Sequence, residues 1–145
     1  MTAKIIEARN ELAYQIGQLS ALQRLGTPQV KTQSVPKVKR EDLQSVEIYI
    51  TYASAAMIRE TRATIKTNPL IDVAIVAPLN EDGDERERLA EFYLDCLEQI
   101  GRESMALVLD GWFVAACEIL TPADPERWRN QSMYAGILRF TVEER

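Results

Sequence analysis

With 145 residues, the chain has the length of a single domain, which is large enough to bury a core but small for two domains. Its hydrophobic fraction of 46% and charged fraction of 27% are typical of a folded globular protein and argue against disorder and fibrous repeats. A formal charge of -5 argues against a general nucleic-acid binder, because such proteins gain most of their affinity by neutralising phosphates.

The sequence contains no histidine and two cysteines. The commonest general base and the commonest metal ligand are therefore missing, and we predict no catalytic site, no metal site and no cofactor. Cys96 and Cys117 lie in apolar patterns, so we expect two small core residues rather than a disulfide. No apolar run reaches the roughly 18 residues of a membrane span, and the N-terminus lacks signal-peptide features. We expect folding in a reducing cytoplasm and no membrane contact.

The first predicted element is a helix from residue 2 to about residue 22. Gly26 and Pro28 follow it and end the helix. Its apolar residues recur at helical spacing and form one stripe, which we expect to lie across a face of a sheet: Ile5, Ala8, Leu12, Ile16 and Leu19.

A polar and basic segment follows over residues 29–40, with Pro36 in its middle. Pro36 cannot extend a helix and disfavours helical geometry at the residue before it, so the segment is predicted to be an extended arm. Two interpretations stay open: a solvated connector, or a contact with DNA or a neighbouring subunit. The contact would be made by the basic side chains Lys31, Lys37, Lys39 and Arg40.

Residues 45–52 alternate apolar and polar side chains and are rich in β-branched and aromatic residues, which predicts a half-buried strand. Residues 53–68 give mixed signals, because their alanines favour a helix and their threonines an extended chain. We predict a loop or an edge β excursion that leads into a second strand. Arg59 and Arg62 in this stretch are candidates for an interface ion pair or for a solvated surface.

The second strand, residues 70–78, is almost continuously apolar, as expected for a central strand that is covered on both faces. Asp72 is its exception. A hydrogen-bonded carboxylate, or one paired with an arginine, is favoured over a catalytic one, because no suitable partner lies at suggestive spacing.

An amphipathic helix is predicted over residues 84–100, with acidic residues at its first turn and Gly101 as a left-handed C-cap. The residues of its buried face recur at helical spacing and are Leu89, Phe92, Tyr93, Cys96, Leu97 and Ile100.

Two further strands are predicted over residues 112–121 and 132–142. In the first we expect Phe113, Ala115, Cys117 and Ile119 to share a face, and in the last Gly136 indicates a bulge or a close approach. The polar loop between them contains Trp128, either as a lid over the domain's own core or as an exposed anchor for a partner.

These elements predict an α+β fold in a single domain over residues 1–145. A mixed, mostly antiparallel sheet of about four strands packs against two main helices, and the sheet and helix core spans residues 45–142.

Taken in order, the elements resemble those of small neck and tail-completion proteins of tailed bacteriophages, and the order is similar to that of tail terminators. The resemblance rests on the N-terminal helix, the basic bend at residues 35–43 (VPKVKREDL), the strand at Val46 and the pair Arg59 and Arg62. It continues through the strand at residues 71–73, the amphipathic helix and the closing strand at residues 134–142.

The resemblance implies a non-enzymatic structural protein that forms a closed ring, usually a hexamer. Such a ring caps the tail tube and joins it to the head connector, so its partners are further copies, the tail tube protein and connector or adaptor proteins. Genomic DNA would pass through without sequence-specific binding. The protein would assemble in the host cytoplasm and reside in the neck of the virion.

Three alternatives remain. One is another connector position, such as a head-closure or adaptor protein. Another is a small enzyme, which would need Asp72, Glu118 and the arginines to converge in a pocket. The last is a regulatory binding domain that dimerises through an exposed sheet edge.

Overall fold

The structure is a computed structural model in which residues 4–33, 43, 45–59, 65–79, 83–121 and 133–144 are described. The helices are α1 (Lys4–Ile16), a 3-10 helix (Ser20–Leu25) and α2 (Gly83–Ser104). The strands are β1 (Val30–Lys31), β2 (Glu47–Arg59), β3 (Ile65–Pro78), β4 (Trp112–Thr121) and β5 (Met133–Glu144).

All described strands belong to one sheet, in the order β1-β2-β3-β5-β4. Strand β1 runs parallel to β2, and the other neighbours are antiparallel. The predicted α+β class and the mostly antiparallel mixed sheet are confirmed. The predicted number of strands is corrected from about four to five, because the two residues of β1 lie in the predicted arm. A strand of two residues is too short to show an alternating pattern.

Strands β2 and β3 form one long hairpin, paired from Glu47 with Val76 to Arg59 with Ile65. Where residues 53–68 are described, the predicted edge β excursion is therefore confirmed and the alternative of a loop is wrong. Residues 53–59 complete β2, and residues 65–68 begin β3, with an irregularity between Tyr52 and Ser54. Pairing with β3 outweighs the helical preference of the alanines, since strand formation depends strongly on the neighbouring strand.

The N-terminal helix ends at Ile16 and not near residue 22. After Gly17 the hydrogen bonds reach back three residues instead of four. The Gln18 N–H donates to the carbonyl of Gln15 and the Leu19 N–H to that of Ile16, each at a distance of 3.0 Å. Glycine is a poor helix former, so this is where the hydrogen-bond pattern changes. Gly26, with φ of 82°, then ends the 3-10 helix as predicted.

Helix α2 continues through Gly101 to Ser104, so the predicted C-cap is wrong. The glycine has another role. A Cβ atom at this position would lie 3.2 Å from Cys117 Sγ and 3.6 Å from the side chain of Leu138. Gly101 thus lets the last turns of α2 approach β4 and β5 closely.

The helices cover one face of the sheet, here called the helix face. On it, Tyr93, Cys96, Leu97 and Ile100 of α2 are buried in the core, with Leu89 and Phe92 packed partly buried beside them. The strands contribute alternate residues to this core: Ile48, Ile50, Ile71, Val73, Ile75, Ala77, Trp112, Val114, Tyr134, Leu138, Phe140 and Val142.

The other face of the sheet, here called the open face, carries a smaller cluster of buried residues. Leu43 packs there against residues of β2, β3 and β5, with Ile137 partly buried beside them. The strand residues of this cluster are Tyr49, Ala74, Val76, Met133 and Ala135.

A β-bulge changes which residues of β4 share a face. Val114 pairs with Val142 and Ala116 with Thr141, so Ala115 is the extra residue. Phe113 consequently lies on the open face, and Cys117 on the helix face, which corrects the prediction that the two share a face. Strand β5 shows no such shift, and Gly136 pairs in register with Ile75.

Candidate interface at the edges of the sheet

The open face carries an ion pair at its centre. Arg139 of β5 donates from Nε to Asp72 Oδ1 over 2.8 Å and from Nη2 to Oδ2 over 3.0 Å. The arginine pairing expected for Asp72 is thereby confirmed. The hydrogen bonds that Arg139 donates to Asp72 outweigh the effect of burial, and the pKa of Arg139 is raised. Both oxygens of Asp72 are occupied, and the pair fixes the register of β3 against β5.

Glu118 lies on the other side of Arg139, directly opposite it in the pairing of β4 with β5. Asp72, Arg139 and Glu118 therefore form a charged row across three strands. They do not converge in a pocket, because the groove that Glu118 lines does not include Asp72 or Arg139. A sheet-face row with a paired arginine at its centre is typical of a structural ion pair.

A second polar cluster lies on the open face at β1 and β2. Lys31 Nζ approaches Glu47 Oε1 at 3.3 Å and the ring of Tyr49 at 5.4 Å. The Tyr49 hydroxyl donates to Glu47. Burial, followed by this hydrogen bond, raises the pKa of Tyr49 to about 12. Lys31 is thus engaged within its own subunit.

The other predicted interface residues are placed less fully. Arg59 ends β2, where its backbone pairs with Ile65. Lys37, Lys39, Arg40, Arg62 and Trp128 lie outside the described residues. Their contacts remain predictions.

Five exposed apolar side chains of the described residues lie on β4, the last strand of the sheet, or in the segment between α2 and β4. We call this group the β4 edge. Met105 and Ile119 line one groove, whereas Phe113 lies on the open face. Val108 is 74% exposed and Met105 45%, values typical of surface rather than core residues. The full set is Met105, Val108, Phe113, Ile119 and Leu120.

A groove of about 310 Å³ lies beside the β4 edge, between β4 and the last turns of α2. Exposed Glu98 and Arg102 stand on its helical side, and Glu118 and Ile119 on its strand side. Cys117 lines it as well. Burial, together with the charge of Glu118, raises the pKa of Cys117 to about 11, so its thiol stays protonated and unreactive near neutral pH.

A second exposed surface lies toward the opposite side of the sheet, where α1 packs on β2. We call it the α1–β2 edge, and it consists of Arg9 and Tyr52. Tyr52 is 46% exposed. The Arg9 guanidinium lies 5.6 Å from the centre of the Tyr52 ring and donates to the neighbouring Asn10, and no described carboxylate pairs with it.

The sequence patterns did not indicate either surface. The run WFVAACEILT predicts a strand, but its local pattern cannot say whether the strand lies in the centre or at the edge of the sheet.

Both cysteines are free, as expected, with Cys96 buried and Cys117 half-buried. Within the described parts of the chain, no three His, Cys, Asp or Glu side chains come together in a way that could hold a metal ion. The described helices include none with the length and apolarity to cross a membrane.

A scan of the sequence against models of known protein families gives no match, and a search among curated proteins gives none. Among solved structures, the fold is similar to that of a chain from the virion of a native gene transfer agent particle. The TM-score is 0.50 at 13% identity, covering 98% of this chain and 99% of that one. A second solved structure, whose name states no function, covers 100% of this chain and 96% of its own, with a TM-score of 0.47 and 11% identity. The first likeness shows a shared fold alone, and the second is too weak to add an argument.

Proposed function

We propose that this chain is a non-enzymatic structural component of a virion neck, a tail terminator whose copies form a ring, with six copies expected. The ring caps the tail tube and joins it to the head connector. The observation that carries the proposal is the fold shared over nearly the whole of both chains with a component of a gene transfer agent virion. A likeness over 98% and 99% of the two chains leaves no large domain of either one unmatched.

The exposed β4 edge supports a protein that works by assembly. Monomeric proteins rarely expose large apolar patches, and such patches often mark interaction sites. A ring of identical subunits needs two different surfaces on each copy, and the β4 edge and the α1–β2 edge are two such surfaces.

The charge of the outer side of α2 is compatible with DNA passing through a ring. Exposed carboxylates dominate this side, with Arg88 and Arg102 as its exposed cations. An acidic lining would repel phosphates, so that DNA could slide without binding. The exposed carboxylates are Glu85, Glu87, Glu91, Asp95 and Glu98.

The mass of the purified protein, measured by native mass spectrometry alone and with purified tail tubes, tests the proposal. We expect a closed oligomer, with six copies, that binds one end of a tube. A protein that stays monomeric even with tubes present would contradict the proposal. In sections of intact particles, immunogold labelling should fall at the junction of head and tail.

The predicted basic arm is tested separately by reversing the charge of Lys37, Lys39 and Arg40 together. If the arm contacts a neighbouring subunit or DNA, the triple variant folds normally and assembles poorly. Normal assembly of the triple variant would identify the arm as a connector only.

A further inference from the structure

Apart from Tyr14, the large exposed apolar residues of the described chain fall into two separate groups. The β4 edge lies at one end of the sheet order, and the α1–β2 edge lies at the other side, beyond β5 and β3. One copy of the protein cannot bring these two groups together, because the sheet separates them. They can meet only between copies.

Among the described residues, the backbone at both places has no neighbouring strand on its outer side. β4 is the outermost strand, so one row of its N–H and C=O groups faces no described strand. At the other side, β1 pairs with β2 only at Ile48 and Tyr49, and leaves the outer row of β2 without a described strand from Ile50 onward. Unpaired strand edges readily hydrogen-bond to a strand of another chain.

The charges of the two surfaces are complementary. Glu98 and Glu118 line the groove beside β4, where Arg102 is the one described cation. Arg9 on the α1–β2 edge has no described carboxylate partner and lies over an exposed aromatic ring. Arg9 beside the ring of Tyr52, opposite a groove with two carboxylates and one arginine, is an arrangement that orients two partners.

We infer that the β4 edge of one copy binds the α1–β2 edge of a second copy, head to tail. The inference rests on the proposed function and specifies which surfaces meet within the ring. Because the two surfaces differ, a pair of copies still has one free surface of each kind. Repetition then gives a ring where the rotation between copies closes, rather than a two-fold dimer.

Two single variants, each disabling one surface, test the inference. Ile119→Lys places an ammonium group in the β4 edge, and Tyr52→Lys removes an aromatic ring from the α1–β2 edge. Gln23→Lys is the matched control, since Gln23 is exposed on the 3-10 helix and belongs to neither surface. Urea midpoints establish that each variant is folded, and Leu120→Lys and Arg9→Glu respectively replace either variant that is not.

We expect the wild type and Gln23→Lys to form the same oligomer in native mass spectrometry. Each of the other two variants alone should be monomeric, with association weakened at least about thirtyfold, the loss typical of a central interface residue. An equimolar mixture of the two should give a heterodimer and nothing larger, because one intact surface of each kind remains.

Other results would overturn the inference in distinguishable ways. If Tyr52→Lys alone still dimerises, the β4 edges pair with each other. If both variants assemble like the wild type, other surfaces form the ring, and the proposed function stands without this inference. If Ile119→Lys assembles but no longer binds tail tubes, the β4 edge is the docking site of the tube protein. A wild type that remains monomeric with tubes present would contradict the proposed function and the inference together.

Discussion

Strands β3 and β4 have similar apolar sequences but very different surroundings. From Ile71 to Ala77 in β3, every residue except Asp72 is buried. In β4, burial is limited to Trp112 and Val114, with Cys117 half-buried and the remaining described side chains exposed. The difference follows from position, since β3 lies between β2 and β5, whereas β4 has a neighbour on one side only.

The comparison separates two reasons for an apolar sequence. The side chains of β3 are accounted for by the protein's own core on both faces of the sheet. Those of the β4 edge gain little within one copy, because they stay exposed there. The proposed contact between copies would bury them.

The same substitution in the two strands should have unequal effects on the monomer. Ile75→Ala in β3 removes a fully buried side chain and should lower the free energy of unfolding by about 3 kcal/mol. Ile119→Ala, at a side chain that is 38% exposed, should cost less than about 1 kcal/mol. Urea unfolding at low protein concentration measures both. Equal losses would mean that β4 belongs to the core of the monomer as fully as β3.

Removing an ion pair at the centre of the sheet should likewise cost more stability than removing one at the protein surface. Arg139→Ala leaves Asp72 half-buried without its partner and should cost roughly 2 kcal/mol. Arg88→Ala, which breaks an exposed pair with Glu85 of the same 2.8 Å length, should cost less than about 0.5 kcal/mol.

A double-mutant cycle with Asp72→Asn would show whether the loss at Arg139 belongs to the pair. A coupling energy near zero would place that loss in the packing of the arginine side chain instead.

In the elements that were predicted correctly, the spacing of the apolar residues follows from which face of the element is buried. The alternation over residues 132–142 reports a strand with one face on the core, and the spacing from Leu89 to Ile100 reports one face of a helix. Both patterns follow directly from the 2.0 and 3.6 residue periods. Such spacing can be interpreted without knowing which other elements lie beside the strand or the helix.

The elements that were missed depend on neighbours that the sequence does not specify. The sequence pattern predicts a helix end at Gly101. In the structure a glycine fits there because Cys117, 16 positions away, packs closely against it. The bulge at Ala115 reverses the faces of β4 and leaves no compositional mark. The candidate interface was missed for a related reason, because the exposure of Ile119 depends on which strand lies beside β4.

The packing of α2 on β4 offers a sharper test of how firmly β4 is held. Gly101→Ala adds a Cβ at 3.2 Å from Cys117 Sγ, closer than ordinary contact, and should destabilise the protein by about 1 kcal/mol despite the better helix propensity of alanine. In a Cys117→Ala background the crowding is removed, and the same substitution should stabilise by up to about 1 kcal/mol. The four urea midpoints of this cycle measure the coupling. If Gly101→Ala has the same effect in both backgrounds, β4 moves freely away from the helix.

The smallest expected effect concerns Glu103, which joins the end of α2 to the 3-10 helix. It accepts hydrogen bonds from Ser20 Oγ and Gln99 Nε2, both at 2.8 Å, and from the Ala21 N–H at 3.3 Å. Burial acts to raise its pKa, but these donors outweigh burial, and the pKa lies below its ordinary value of 4.5.

Because the folded protein holds this carboxyl in its charged form, its contribution to stability is present above pH 4.5 and is lost as the pH falls through the lowered pKa. The urea midpoint of Glu103→Gln should therefore differ from that of the wild type near neutral pH, and the two should converge in acid. Glu91→Gln, at an exposed position of the same helix, is the control and should follow the wild type throughout. A gap between wild type and Glu103→Gln that is independent of pH would mean that Glu103 joins α2 to the 3-10 helix through its shape and not through its charge.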